Sequence, residues 1–175
     1  MKKMNKGFSM VELIIVIAIM AILAGALAPA LIRYINKSRI STDIQTANTI
    51  ATGIQTAIAN EGGYDEAVAN YNTAWYDCTT VWGKTDDFAE SLKTTVGSKA
   101  PQVKSKKCVS KGGSAATGSA SDKEFYFYID MDKNAVLVRL GDTSGDHLAF
   151  PTAAECLQNE EATHTATAAA AVSAL

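Results

Sequence analysis

The sequence predicts an α+β protein in which a long N-terminal α-helix, membrane-spanning in its first half and amphipathic in its second, packs on a small antiparallel β-sheet. Residues 13–32 are a run of twenty residues without a charge, and a helix of that length spans about 30 Å, the hydrocarbon thickness of a bilayer. Residues 125–129 and 135–140 are aromatic and β-branched runs separated by a polar turn, which predicts a hairpin.

Basic residues flank the apolar run, and one carboxylate lies at its edge. Glu12 directly precedes the run, and a carboxylate at that depth is costly to dehydrate without a partner. We therefore expect a specific partner for Glu12; the alternative is that it only marks the interface end of a membrane helix. The flanking cations are Lys2, Lys3 and Lys6 before the run and Arg33, Lys37 and Arg39 after it.

Residues 6–13, Lys-Gly-Phe-Ser-Met-Val-Glu-Leu, resemble the class III leader and cleavage site of type IV pilins and their pseudopilin relatives. The family pattern is a short basic leader ending in Gly, an aromatic residue, a Glu four residues later and then an apolar helix. Ser9 and Met10 stand where the family more often has Thr and Leu. The resemblance covers about the first forty residues and is one of architecture only beyond about residue 60.

The resemblance implies that a prepilin peptidase cuts between Gly7 and Phe8 and N-methylates the new amine of Phe8. That amine would lie four residues before Glu12, where the two groups could pair within one chain or between neighbouring subunits. Because desolvation offsets most of the Coulomb attraction of such a pair, we expect the pair to set the register between subunits more than to add net stability.

The resemblance also implies a function: the structural subunit of a type IV pilus, serving adhesion, motility or DNA uptake. Such a chain is a single-pass inner-membrane protein before assembly and part of a cell-surface filament afterwards. Its partners would be further copies of itself in a helical filament, the prepilin peptidase, an inner-membrane assembly platform and the lipid bilayer. The alternatives are a pseudopilin of a type II secretion or competence apparatus, an adhesive or minor tip subunit, and a membrane-tethered enzyme.

The first helix is expected to run from Phe8 to about Asn60. Pro29 removes one backbone hydrogen bond and Gly25 weakens the same stretch, so we expect a kink or a locally melted segment. In the family such loosening accompanies packing into a filament; the alternative is a simple bend in a monomeric anchor. The predicted segments are the leader 1–7, the transmembrane and assembly helix 8–36, its amphipathic half 37–61, a globular domain 62–160 and a low-complexity, flexible tail 161–175.

The amphipathic half carries one apolar stripe at helical spacing. Polar residues between its members, Asp43 among them, are expected on the solvent face. We expect the globular domain to cover the stripe; a coiled coil with another subunit is the alternative. Gly62 and Gly63 are expected to stop the helix. The stripe residues are Ile40, Ile44, Ala47, Ala51, Ile54 and Ile58.

The globular domain is predicted to hold one short helix and three or four strands. Residues 64–76 are expected to be a loop with a short helical turn, residues 85–96 a helix with Phe88 and Leu92 on one face, and residues 112–121 a solvated loop. Because a hairpin alone is unstable, further strands are expected at 103–109 and 148–150. One hairpin face, Phe125, Phe127 and Ile129, is expected to pack on the stripe.

Three cysteines allow at most one bridge within the chain. We favour Cys108 with Cys156, which would clasp the C-terminal segment around the hairpin; no bridge at all is the alternative. Residues 130–134 begin like a calcium loop, but Ala135 stands where Gly is needed and Gly141 where the bidentate Glu belongs, so a solvated turn is expected.

No catalytic constellation is found, and we predict neither enzyme activity, nor a metal, nor a cofactor. His147 and His164 are isolated in the sequence, which favours loop residues over a base or a ligand. The formal charge is −2, and loss of the three leader lysines would make it more negative. The sequence therefore indicates no nucleic-acid site.

Overall fold

The computed structural model describes residues 8–105, 124–141 and 148–152. The chain divides into two compact units, Met1–Ser38 and Arg39–Leu175. The first helix, α1, runs over Met10–Ile58 and contributes residues to both units.

The first unit contains the apolar part of α1. All its described side chains, from Phe8 to Ser38, are exposed, so none of the described apolar side chains of this unit is buried in a core. The helix is continuous through Gly25 and Pro29. The locally melted segment expected there is therefore not seen in the structure of this unit, and loosening on assembly stays a prediction.

In the second unit, α1 buries the predicted stripe. Four stripe residues are buried, and Ile44 and Ile58 are partly buried against the same core. Three further positions outside the stripe, Ile50, Gly53 and Ala57, are buried. Ile50 and Ala57 are fully buried, and at Gly53 an added Cβ would lie 2.9 Å from a methyl group of Leu92. The prediction that the globular domain covers the stripe is confirmed.

The predicted solvent position of Asp43 is wrong. Its side chain is 1 % exposed, because two backbone N–H groups replace the water that it loses. The N–H of Lys104 donates to Oδ1 at 2.9 Å and to Oδ2 at 3.2 Å, and the N–H of Ser105 donates to Oδ2 at 2.7 Å. A buried carboxylate is tolerated when such donors satisfy it, and Asp43 thereby fastens residues 104–105 to α1.

The prediction that Gly62 and Gly63 stop the first helix is also wrong. α1 ends at Ile58, and the chain turns at residues 59–60 into α2, which spans Glu61–Glu66 and contains both glycines. A Cβ on Gly63 would overlap the carbonyl oxygen of Ala57. Glycine is needed at this position because α2 approaches the end of α1 so closely.

The loop expected over residues 64–76 is mostly regular structure. α2 continues into a π-helical turn, π1 (Ala67–Tyr71), and a short strand, β1 (Trp75–Asp77), follows. Between π1 and β1, Thr73 has a φ of 59°, a left-handed conformation that is uncommon for a β-branched residue.

Two capped helices follow β1. Asp77 caps α3 (Cys78–Trp82) by accepting from the N–H of Thr80 at 2.6 Å, and Asp86 caps α4 (Asp87–Val96) by accepting from the N–H of Ala89 at 2.7 Å. Aspartate is a favoured N-cap because its carboxylate satisfies an N–H that lacks a helical partner. The predicted helix over 85–96 is confirmed, and Phe88 and Leu92 are buried as expected.

The predicted hairpin is confirmed as β2 (Phe125–Asp130) and β3 (Ala135–Leu140). Its turn ends at Asn134, whose φ of 49° is tolerated best by Asn, Asp and Gly. The sheet has the order β1-β2-β3-β4, with every pair antiparallel, and β4 is the predicted strand Leu148–Phe150. Residues 103–105 form no strand, and residues 106–109 lie outside the described residues.

One face of the hairpin packs against the stripe of α1, as predicted. Phe125, Phe127 and Ile129 are at most 1 % exposed and belong to the same core cluster as the stripe. Tyr71 lies within this cluster and stacks on Phe88, with 4.6 Å between ring centroids.

Candidate processing and assembly site

The first turn of α1 is closed by reciprocal hydrogen bonds between Ser9 and the residues that follow. The backbone N–H of Ser9 donates to Oε2 of Glu12 at 2.9 Å, and the backbone N–H of Val11 donates to Oγ of Ser9 at 3.4 Å. The carbonyl of Ser9 accepts from the N–H of Leu13 at 3.2 Å, the first bond of the helical ladder. This arrangement is a form of the capping box. The side chain of Glu12, the third helical residue, accepts from the N-cap N–H, and the N-cap hydroxyl accepts from the N–H of Val11, the second helical residue.

The capping box gives Glu12 a partner that the sequence reasoning missed. That reasoning considered only an amine as the partner, yet Ser9 and Glu12 have the Ser-x-x-Glu spacing that marks a helix start before an apolar run. Ser9 stands where the family more often has Thr. Since either hydroxyl can cap a helix, this departure preserves the cap.

Phe8 directly precedes the capping box, and its side chain is 91 % exposed. Gly7, on the other side of the predicted scissile bond, lies outside the described residues. A cut at this bond would create an α-amine one residue before the N–H that already donates to Glu12. The hydrogen bond from Ser9 engages Oε2, and a carboxylate has further acceptor sites on its second oxygen.

An exposed apolar helix follows the capping box. Among its large apolar residues between positions 13 and 32, exposure ranges from 45 % at Val16 to 72 % at Ile22. Of the described helices, α1 alone is long and apolar enough to cross a membrane, judged by length and composition. At Gly25 an added Cβ would meet nothing within 4 Å, so no close contact inside this chain requires a glycine there.

The predicted disulfide partners, Cys108 and Cys156, lie outside the described residues, as do His147 and His164. Cys78 is described; it is a free cysteine and fully buried. Burial, helped by the nearby charges of Asp77 and Glu124, raises the pKa of the Cys78 thiol, which makes it a poor nucleophile.

The calcium-like sequence at residues 130–134 forms the turn of the hairpin. Asp130 is 6 % exposed and accepts a hydrogen bond from the backbone N–H of Lys133 at 3.1 Å. Within the described ranges, no group of three His, Cys, Asp or Glu side chains could hold a metal ion. The carboxylate of Asp130 therefore serves the turn itself.

Comparison with known proteins identifies the N-terminal segment. A family model described as the prokaryotic N-terminal methylation motif matches residues 2–28, a range that includes Gly7, Phe8 and Glu12. The chain carries a class III prepilin leader. This leader is common to type IV pilins and pseudopilins, and it points to a structural protein that a prepilin peptidase processes. No curated protein and no solved structure matches the chain.

Proposed function

We propose that this chain is the structural subunit of a type IV pilus and that it polymerises through α1 into a surface filament. The observation that carries the proposal is the prepilin leader followed directly by an apolar helix that its own unit leaves exposed. In the bilayer, lipid covers the apolar residues; in a filament, other copies of α1 cover them. The transfer exposes no apolar surface to water, so membrane-bound subunits can serve as a reservoir for assembly.

The prepilin peptidase is proposed to cut between Gly7 and Phe8 and to methylate the amine of Phe8. The amine then meets Glu12 of a neighbouring copy, while the hydrogen bond from Ser9 keeps the carboxylate at the start of the helix. Pairing two charges in an apolar environment gains Coulomb energy but costs a similar desolvation energy. The pair therefore selects one alignment between copies and penalises an alignment that leaves Glu12 alone.

Two further roles are proposed, one for a stretch of α1 and one for a pair of cysteines. Gly25 and Pro29 would loosen α1 when it packs among other copies, since Pro29 lacks one backbone donor and Gly25 lowers helix propensity by about 1 kcal/mol. A bridge between Cys108 and Cys156 would close the C-terminal segment onto the globular unit.

A pseudopilin of a type II secretion or competence apparatus is the second candidate, because the same leader occurs in both classes. Either protein would be anchored in the inner membrane before assembly. Electron microscopy of cells that express the chain separates the two. Long surface filaments that disappear on deletion of the gene support a pilin, and their absence from secreting or DNA-importing cells supports a pseudopilin.

The assembly role of Glu12 is tested by Glu12→Gln, which removes the charge but keeps an oxygen that can accept the hydrogen bond from Ser9. We expect normal membrane insertion and loss of filaments. Asp132→Asn, at an exposed site in the hairpin turn, removes the same charge elsewhere and is expected to leave filaments unchanged. Filaments at the normal level from Glu12→Gln would refute the role.

A further inference from the structure

Charge is distributed unevenly along this chain. Residues 13–42 contain three basic side chains and no acidic one, whereas residues 61–96 contain seven acidic and two basic side chains, a formal charge of −5. Both basic residues of the acidic segment are engaged within the chain: Lys93 pairs with Glu90 at 2.8 Å, and Lys84 lies 4.3 Å from the ring centre of Tyr71. One segment of each copy is therefore electrostatically complementary to the other segment of a second copy.

Arg33 and Lys37 lie together on one face of α1, which we call the basic face. They are four residues apart on α1, so they lie on one side of the helix and about one turn apart. Both are exposed, and neither makes an ion pair with any residue that the structure describes. Arg39, six residues after Arg33, points to a different side of an α-helix.

Glu61 and Asp65 lie together on one face of α2, which we call the acidic face. They are also four residues apart, on α2, and both are exposed without an ion pair among the described residues. Asp87 adds negative charge beside them, since its Oδ2 would lie 2.5 Å from a Cβ built on Gly62 of the same helix. The acidic face thus presents two carboxylates at the same spacing as the basic face.

We propose that the basic face of Arg33 and Lys37 docks on the acidic face of Glu61 and Asp65 in a second copy of this chain. The proposal rests on the proposed function, in which copies lie side by side. For a given relative direction of the two helices, two pairs with the same one-turn spacing can form both ion pairs at once in only one register. Since a single exposed ion pair contributes little, the contact mainly selects the stagger between copies and disfavours misaligned ones.

Charge reversal in the full-length chain tests the docking, with filament yield and membrane retention as readouts. Arg33→Glu with Lys37→Glu, and separately Glu61→Lys with Asp65→Lys, are each expected to lower filament yield about tenfold or more, because like charges then face each other. The variant that combines all four substitutions is expected to recover most of the yield. Arg39→Glu and Asp132→Lys are matched controls that change charge away from the two faces, and they are expected to assemble normally.

A second measurement uses unaltered filaments, so it does not depend on how the variants insert or fold. A carbodiimide joins amines to carboxylates that are in contact, and mixed isotope-labelled and unlabelled copies distinguish links between copies from links within one. We expect a link from Lys37 to Glu61 or Asp65 between copies. The pair Lys93–Glu90, 2.8 Å apart in one copy, is the internal positive control.

The outcomes separate this proposal from the function on which it rests. If the unaltered chain forms no filaments, the proposed function fails and this contact fails with it. If filaments form but the reversals have no effect, or the combined variant does not recover, or the link between copies is missing while the control link forms, only the contact is overturned. A last outcome is that only Arg33→Glu with Lys37→Glu lowers filament yield and that this variant also releases the chain from vesicles that contain anionic lipid. The basic face then binds lipid headgroups, and the proposal is wrong.

Discussion

Asp43 is expected to be a large single contributor to the stability of the globular unit. Asp43→Ala removes the carboxylate that accepts from the N–H groups of Lys104 and Ser105. These donors belong to a segment more than sixty residues away along the chain, so the loss also releases a long-range attachment. Alanine favours a helix, so the backbone of α1 is expected to stay helical in this variant.

The magnitude follows from the two donors left behind. A buried donor without a partner costs about 1–3 kcal/mol. The N–H of Ser105 is buried and that of Lys104 only partly so, which places the total at about 2–4 kcal/mol. Asp43→Asn keeps one carbonyl oxygen that can serve one donor, so about half of that loss is expected. Against a typical total stability of about 5–15 kcal/mol, the alanine variant loses a substantial fraction.

Urea unfolding of the full chain in detergent micelles measures this loss. The chain has two tryptophans, Trp75 and Trp82, and both lie in the second unit, so their fluorescence reports on that unit. Asp132→Ala is the control; it removes an exposed carboxylate from the hairpin turn and is expected to change stability by less than about 0.5 kcal/mol. A loss below about 1 kcal/mol in Asp43→Ala would show that water or another acceptor serves these donors.

Three smaller predictions follow from single residues. The Cβ of Gly63→Ala would overlap a backbone carbonyl of α1, so this variant is expected to lose about 1–3 kcal/mol of stability in the same urea assay. The control Gly25→Ala, whose Cβ meets open space, should leave the unfolding transition unchanged. Equal urea midpoints for the two variants would contradict the close approach of α2 to α1. Burial, then the hydrogen bond to Asp86, raises the pKa of Tyr71, so the folded state holds this proton more tightly and stability falls as the pH rises above about 10. Tyr71→Phe should weaken that alkaline fall in the melting temperature, and an unchanged pH profile would count against it. Ser9→Ala should lower helix stability at the first turn by about 0.5–2 kcal/mol, and faster amide hydrogen exchange in that turn would report the loss. Ser9→Thr keeps the cap and should exchange as slowly as the unaltered chain. Identical exchange rates in the two variants would rule the cap out.

Local patterns were sufficient for the elements whose neighbours in sequence are also their neighbours in space. The hairpin was predictable because β2 and β3 are both rich in strand-forming residues and only a four-residue turn separates them. α4 was predictable because Asp86 caps it and its apolar residues recur at helical spacing. The stripe of α1 was predictable for the same reason of periodicity.

Elements decided by distant contacts were not predictable. Asp43 is charged and lies between the positions of the apolar stripe, so the sequence predicts that it faces solvent. Its burial is tolerated because the backbone N–H groups of residues 104–105 donate to it. β1 has three residues, too few to show alternation, and it is a strand because Trp75–Asp77 pairs with β2. Gly63 predicts a helix stop because glycine is common at helix ends, yet its role depends on how closely α2 approaches Ala57.

The position of the candidate site, and part of its geometry, can be predicted from the sequence. Gly7, Phe8 and Glu12 lie within residues 2–28, which match the N-terminal methylation motif, so a motif alone directs attention to them. Their roles in cleavage, methylation and assembly stay predictions. The bond between Ser9 and Glu12 was also available from the Ser-x-x-Glu spacing. The family resemblance implies an amine partner for Glu12, whereas this spacing by itself predicts the backbone N–H of Ser9 as a partner.

The most direct test of the account is the N-terminus of the native protein. We expect N-terminal analysis and intact mass of the chain purified from membranes and from sheared filaments to show a polypeptide that begins with N-methylated Phe8 in both fractions. A native chain that still begins at Met1, or that is recovered as a soluble monomer without affinity for a bilayer, would contradict it.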